Sequence, residues 1–249
     1  MKRHISEGRI KMPDLQIFDS TMPAWQNAQK PMGDELRWKN NFPHYGQTLL
    51  RHANSVPITM VDLLEFFRPF NPDWNEPLLY QAIIFHDHGE PRSGGDEDIE
   101  SQTEGKAIRE WVGFAEMIQD YPESTRKAYL RAFALQYAIK DHVADLPKEA
   151  LDLVLMHRDL HMEEAWFFEF VECVDYFRSA REGNWRKIRH VQGHEGMFEH
   201  VFRNAPKRIE VACDNLPLLT EYWTPQLQVE FAELARIEAI LPAFVRRKD

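Results

Sequence analysis

The chain has 249 residues and a formal net charge of −10. Hydrophobic residues make up 43% and charged residues 28%, the balance of a folded protein with enough apolar material for a core. The acidic balance excludes non-specific nucleic-acid binding, which needs a basic face. No apolar run approaches the ~20 residues of a membrane span.

The N-terminal Met1-Lys2-Arg3-His4 is followed by no apolar segment, so a secretory signal is not expected. Cys173 and Cys213 are the only cysteines. Both lie in helical, partly apolar contexts and read as buried thiols of a reducing compartment. The expected location is the cytoplasm.

Residues 1–45 read as irregular, because Pro13, Pro23, Pro31 and Pro43 interrupt each apolar cluster. Within them Leu36-Arg37-Trp38-Lys39 is polar and aromatic. From Thr48, which can cap, the pattern turns helical and runs to Pro69, with a kink or restart expected at Pro57. His52 lies in this element. Asn71-Pro72-Asp73 reads as a turn. A buried helix is predicted from Glu76 to Phe85, closing on His86-Asp87-His88-Gly89-Glu90. The segment Glu90-Pro91-Arg92-Ser93-Gly94-Gly95-Asp96 reads as a loop. It is not a nucleotide P-loop, since no Gly-Lys-Ser/Thr follows and no strand precedes it.

Ile99 to Gln119 reads as an amphipathic helix with Ile108, Trp111, Val112, Ala115 and Ile118 on one side. A second helix is expected from a Ser124 cap to about Ile139, and a third opening at Leu146-Pro147-Lys148-Glu149 and running through His157. A long helix follows from about Met162 to Arg181, with Gly183-Asn184 ending it. Asp175 borders its apolar face and shares a sector with Glu164 and Glu172. Three more helices are expected, from Glu195 to Phe202, from Pro206 to Asn215, and from a Thr224 cap with Pro225 in the first turn to Ile240. No strand periodicity of weight appears, so the fold class is all-α.

Adjacent imidazole and carboxylate side chains at the end of an apolar helix suit a borderline or hard divalent cation. Taken singly, the residues also fit ordinary roles: a packed His52, a solvated Arg37, a helix-end Glu90. Taken in order, they do more. A histidine on an early helix (His52), a His-Asp pair closing the next apolar helix (His86-Asp87) and an aspartate on a later helix (Asp175) resemble the HD-domain metal-dependent phosphohydrolases. Within that superfamily the chain is most similar to the compact 5'-deoxynucleotidase branch. Leu36-Arg37-Trp38-Lys39 resembles that branch's Arg-Trp element, His86-Asp87-His88-Gly89-Glu90 its His-Asp-x-x-Glu, and Ser93-Gly94-Gly95-Asp96 its Thr-Gly-Asp segment. Glu164-Ala165 resembles the lead-in to the last ligand. The chain departs from the pattern in a loop one residue longer before Asp96 and a longer interval from Asp87 to Asp175.

The resemblance implies an HD-type helical bundle over residues 35–181, preceded by an irregular segment, 1–34, and followed by a C-terminal helical extension, 182–249. It implies His52, His86, Asp87 and Asp175 as metal ligands for Mn, Co, Mg, Zn or Fe. It implies Asp87 and Glu90 as catalytic residues, and Arg37, Trp38 and Asp96 as contacts to the phosphate and sugar of a nucleoside 5'-monophosphate. The expected activity is phosphomonoester hydrolysis. A dinuclear phosphodiesterase or di-iron oxygenase is an alternative, since His142, His157 and His161 fall between Asp87 and Asp175. A deoxynucleoside triphosphate triphosphohydrolase is another, and a non-catalytic nucleotide sensor or docking module a third. Apolar helical surface left over after one core is built is compatible with a homodimer.

Overall fold

A computed structural model of the chain describes residues 49–93, 105–141, 143–181 and 200–245. Among these residues every regular element is helical, as an all-α fold requires. The α-helices are α1 (Leu49–Phe67), α2 (Glu76–Phe85), α3 (Glu90–Ser93), α4 (Lys106–Met117), α5 (Glu123–Ala134), α6 (Lys148–Leu160), α7 (Met162–Arg181), α8 (Ala205–Asn215) and α9 (Pro225–Val245). No helix in the described residues is long and apolar enough to cross a membrane.

Two helices are central. In α2, Leu78, Leu79, Ala82, Ile83 and Phe85 are buried within ten residues. In α7, Ala165, Phe167, Phe168, Phe170, Val171, Cys173 and Val174 are all buried. Apolar side chains on nearly every side of a helix leave it no solvent face. Accordingly α7 packs against α1, α2, α6 and α8, and α2 packs against α1, α5 and α7. The start of α2 is fixed by Asn75, whose side chain accepts from the Leu78 amide at 3.1 Å. Glu164 of α7 in turn accepts from the Asn75 amide at 2.9 Å.

The core divides into two clusters that meet at the end of α2. Ile83 belongs to the larger one, built from α1, α2, α7, α8 and the start of α9. Phe85, two residues on, belongs to the other, with Trp111, Phe114, Tyr129, Phe133 and Tyr137. Its ring lies 4.5 Å from that of Tyr129, centroid to centroid. Residue 86 therefore leaves α2 at the seam between two packed layers, where the backbone is held on both sides.

Several local expectations are corrected. α1 continues through Pro57 with no restart; Ala53, Val56, Met60, Leu63, Leu64 and Phe67 are buried along it, so tertiary packing outweighs one missing backbone donor. Glu90 opens a helical turn and not a loop. α4 begins at Lys106, behind Gly105 in the left-handed region at φ 76°. Its inward face holds Glu110, Trp111, Phe114 and Met117, whereas Val112 is exposed. Pro122, not Ser124, stands at the N-cap of α5, which gives way to a 3-10 turn at Leu135–Tyr137. The stretch around Phe202 is a π-helical turn, His200–Asn204. α9 runs five residues beyond Ile240. Its cap is as expected: Thr224 Oγ1 accepts from the Leu227 amide at 3.3 Å. Both cysteines are buried free thiols. Residues 99–104, Gly183-Asn184 and 195–199 lie outside the described residues.

Gly89 is a glycine because the turn after α2 runs directly against α4. A Cβ at Gly89 would stand 2.2 Å from the Glu110 carbonyl oxygen. On the other side of the crossing, a Cβ at Gly113 would stand 2.7 Å from the Gly89 oxygen. The obstacles are backbone atoms, which cannot rotate away. Gly89→Ala is expected to destabilise the protein by about 3 kcal/mol, a fall in Tm of roughly 6–12 °C for a chain of this size. An unchanged melting temperature would show that the two backbones are not in contact.

Candidate metal centre

His86 follows the last residue of α2 and is buried, as are Asp87, His88 and Glu90. Its ring is held in one tautomer: Nδ1–H donates to the Ile83 carbonyl at 2.7 Å. The backbone is held as well, since Gln136 Nε2 donates to the His86 carbonyl at 3.2 Å. The other ring nitrogen, Nε2, faces two carboxylates. Asp87 Oδ2 lies 3.2 Å away and Glu172 Oε1 3.4 Å away. One ligand atom from each of the three residues falls within 4.8 Å of the others.

This geometry calls for a cation. A neutral imidazole whose Nδ1 already carries its proton presents a lone pair at Nε2. A lone pair against two carboxylates, away from water, is repulsive unless a positive charge sits between them. A proton is one solution. Burial alone pushes the His86 pKa down, but Asp87, Glu172 and the Ile83 carbonyl outweigh it and leave it at about 9. A divalent metal is the other solution. The donor set, an imidazole with a backbone-fixed tautomer and two carboxylates, fits one. Glu172 is held above the usual carboxylate range by burial, against the lowering effects of His86 and Arg208. His88 is not a competing cation: burial, reinforced by His86, lowers it to about 4.

Glu90 stands one turn further along, its amide donating to the Asp87 carbonyl at 3.0 Å. Lys106 Nζ lies 3.6 Å from Glu90 Oε1 and 3.2 Å from Glu110 Oε1. Tyr137 donates to Glu110 Oε2 at 3.1 Å. This chain of contacts explains the burial of Glu110 on α4, and it sets a cation beside Glu90.

The remaining expected ligands are placed only in part. Asp175 is buried and accepts from Thr59 Oγ1 at 2.8 Å and Ser55 Oγ at 3.1 Å. It is thereby fastened to α1, the helix that carries His52 three residues before Ser55. The His52 side chain lies outside the described residues, as do Arg37, Trp38 and Asp96. Glu172 is the residue that ligand-by-ligand reading of the sequence passed over. Its signal was present: it lies three residues before Asp175 on the same helical sector.

The histidines considered for a second metal have other partners. His157 Nε2–H donates to the Arg131 carbonyl at 2.7 Å. Arg131 Nη2 donates to His161 Nε2 at 3.0 Å, and His161 Nδ1 lies 3.2 Å from Glu164 Oε1. These contacts brace α5 against α6 and the start of α7. His142 lies outside the described residues. A groove of about 540 Å³ runs between Lys127 and Arg131 of α5 and Lys148 and Asp152 of α6. None of its lining residues belongs to the His86 centre.

His157 has a consequence for acid stability. Burial lowers its pKa to about 4, although the Arg131 carbonyl favours the charged form. The unfolded imidazole takes a proton near 6.5. Between those values the unfolded state binds more protons, so His157's contribution is intact above about pH 6.5 and is lost as pH falls toward 4. His157→Gln, with its side-chain amide available to donate to the Arg131 carbonyl, is expected to flatten the decline in denaturant midpoint between pH 7 and pH 5. An equally steep decline in the variant would assign the loss to other groups.

Comparison with protein-family models, with curated proteins and with solved structures found no match.

Proposed function

We propose that the chain is a metal-dependent phosphohydrolase that hydrolyses the phosphomonoester of a nucleoside 5'-monophosphate. The observation that carries the reading is the convergence of Asp87 and Glu172 on the tautomer-locked Nε2 of His86. The order of motifs in the sequence adds His52 and Asp175 to the ligand set and directs the chemistry toward phosphate esters. A divalent cation held there supplies Lewis-acid polarisation of a phosphoryl oxygen and acidification of a water.

The chain's own groups do the rest. Glu90 takes a proton from the attacking water as its oxygen bonds to phosphorus, then delivers one to the departing 5'-alkoxide as the ester P–O bond breaks. Lys106, between Glu90 and Glu110, restrains the direction in which the Glu90 carboxylate points. The Arg37 guanidinium, a planar fork suited to phosphate oxygens, clamps the phosphate. The resemblance assigns Trp38 and Asp96 to the sugar, where an indole would exclude a 2'-hydroxyl and a carboxylate would accept from the 3'-hydroxyl. A mononuclear centre is favoured over a dinuclear one by the engagement of His157 and His161 with Arg131 and Glu164.

The test is a product assay on purified protein with Mn²⁺, Co²⁺, Mg²⁺, Zn²⁺ or Fe²⁺, offered deoxynucleoside monophosphates, ribonucleoside monophosphates and deoxynucleoside triphosphates. Release of inorganic phosphate from the monophosphates is expected. Triphosphate released from the triphosphates would replace this reading with a triphosphohydrolase. Nucleotide binding without hydrolysis under every metal would make the protein a binding module.

A further inference from the structure

Among the described residues of the C-terminal region, Arg208 reaches toward the candidate centre. α8 lies along α7, and its Ile209, Ala212 and Cys213 join the larger core cluster. From the same helix Arg208 points at two carboxylates of α7. Its Nε pairs with Glu169, and its Nη2 lies 3.4 Å from Glu172 Oε2. The second oxygen of Glu172, Oε1, is the one that lies 3.4 Å from His86 Nε2. The Glu172 carboxylate is thus stretched between a guanidinium on one side and the His86–Asp87 pair on the other.

We propose that Glu172 is an additional ligand of the metal centre and that Arg208, supplied by the C-terminal region, is the residue that positions it. The proposal rests on the metal-centre reading above. Two carboxylates three residues apart on one helix, with little access to water, repel each other. Arg208 cancels one of those charges and fixes the plane of the Glu172 carboxylate by holding Oε2. Oε1 is then left aimed at the centre. This is the outer-partner arrangement that orients ligating carboxylates, whose loss commonly weakens metal binding by about 10–100-fold. Arginine suits the task because one planar fork spans both carboxylates, whereas a lysine offers a single point of charge. The C-terminal helices therefore complete the centre in addition to extending the core.

The experiment is Mn²⁺ titration by calorimetry on the full chain, alongside the melting temperature of the metal-free protein and phosphate release. Glu172→Gln is expected to raise the Mn²⁺ Kd about tenfold or more. Arg208→Lys is expected to raise it as well, with the metal-free melting temperature near the parent value. Removing the cation outright leaves two poorly hydrated carboxylates facing each other and endangers folding, so Arg208→Met is combined with Glu169→Gln; this double variant should again bind Mn²⁺ more weakly. A parental Kd in Glu172→Gln removes Glu172 from the centre. A parental Kd in both Arg208 variants reduces Arg208 to a structural ion pair. Hydrolysis separates this proposal from the functional one. A parental Kd in Glu172→Gln with full phosphate release overturns the proposal alone. A weakened Kd with no hydrolysis by any form, parent included, upholds it and overturns the hydrolase reading. Failure of the parent to bind Mn²⁺ overturns both.

Discussion

Asp87→Ala is expected to abolish divalent-metal binding and phosphate release together. Asp87 is buried, and its Oδ2 lies 3.2 Å from His86 Nε2. Removing it takes one full negative charge from a site shielded from water, where electrostatic interactions are least screened. The remaining described donors, His86 and Glu172, do not balance a divalent cation. The same change withdraws the group that most raises His86, so the imidazole also holds its proton less strongly. The fold is expected to survive, because His86 stays anchored through the Ile83 and Gln136 contacts. Calorimetric titration with Mn²⁺, a phosphate-release assay and a melting curve check the three statements. Hydrolysis persisting in a folded Asp87→Ala protein would place the chemistry elsewhere.

Glu90→Ala is expected to separate catalysis from metal binding. The variant should bind Mn²⁺ with the parental Kd while its kcat falls about 10²- to 10⁴-fold, the usual contribution of a positioned acid–base group. Glu90 is buried at the first position of α3, three residues after Asp87, and is not one of the three groups converging on Nε2. Its loss leaves Lys106 paired with Glu110 at 3.2 Å, so the lysine keeps a partner and the α3–α4 crossing is expected to hold. A parental kcat would remove Glu90 from the mechanism, and a lost Mn²⁺ affinity would move it into the ligand set. A decline in both with a lowered melting temperature would instead mean that the turn from His86 to Glu90 had collapsed.

The helices that carry the site were legible because their residues leave little choice. Leu78 to Phe85 is apolar on every side and bounded by an Asn-Glu-Pro start, so α2 falls between Glu76 and Phe85 as its composition demands. α7 is equally plain from Met162 to Arg181. The elements that were misread are those whose boundaries depend on neighbours. Proline at residue 57 argues locally for a kink or a restart, and of the two a restart is ruled out, because α1 continues as one helix on its buried face. Val112 and Glu110 are two residues apart on α4, and apolar periodicity alone turns the valine inward. Lys106 and Tyr137 supply the partners that let the glutamate go in instead. A hydrogen-bonded carboxylate can occupy a core position that an unpaired one cannot.

The sequence by itself determined the helical class, the bounds of α2 and α7, and the place of the adjacent His86 and Asp87 at the close of an apolar helix. Those follow from short-range periodicity and from side-chain chemistry within a few residues. Which third group meets them was a tertiary matter. Glu164, Glu172 and Asp175 share one sector of α7, and nothing within that helix ranks them. The packing of α7 against α2 and α1 separates their partners. Glu164 accepts at the cap of α2, Asp175 accepts from Ser55 and Thr59 of α1, and Glu172 faces His86. Arg208 lies 36 residues away from Glu172 in the chain, and Gly89 finds its reason in a backbone on another helix. Such pairings depend on how rigid helices cross, a property of the packed core as a whole and of no single stretch of residues.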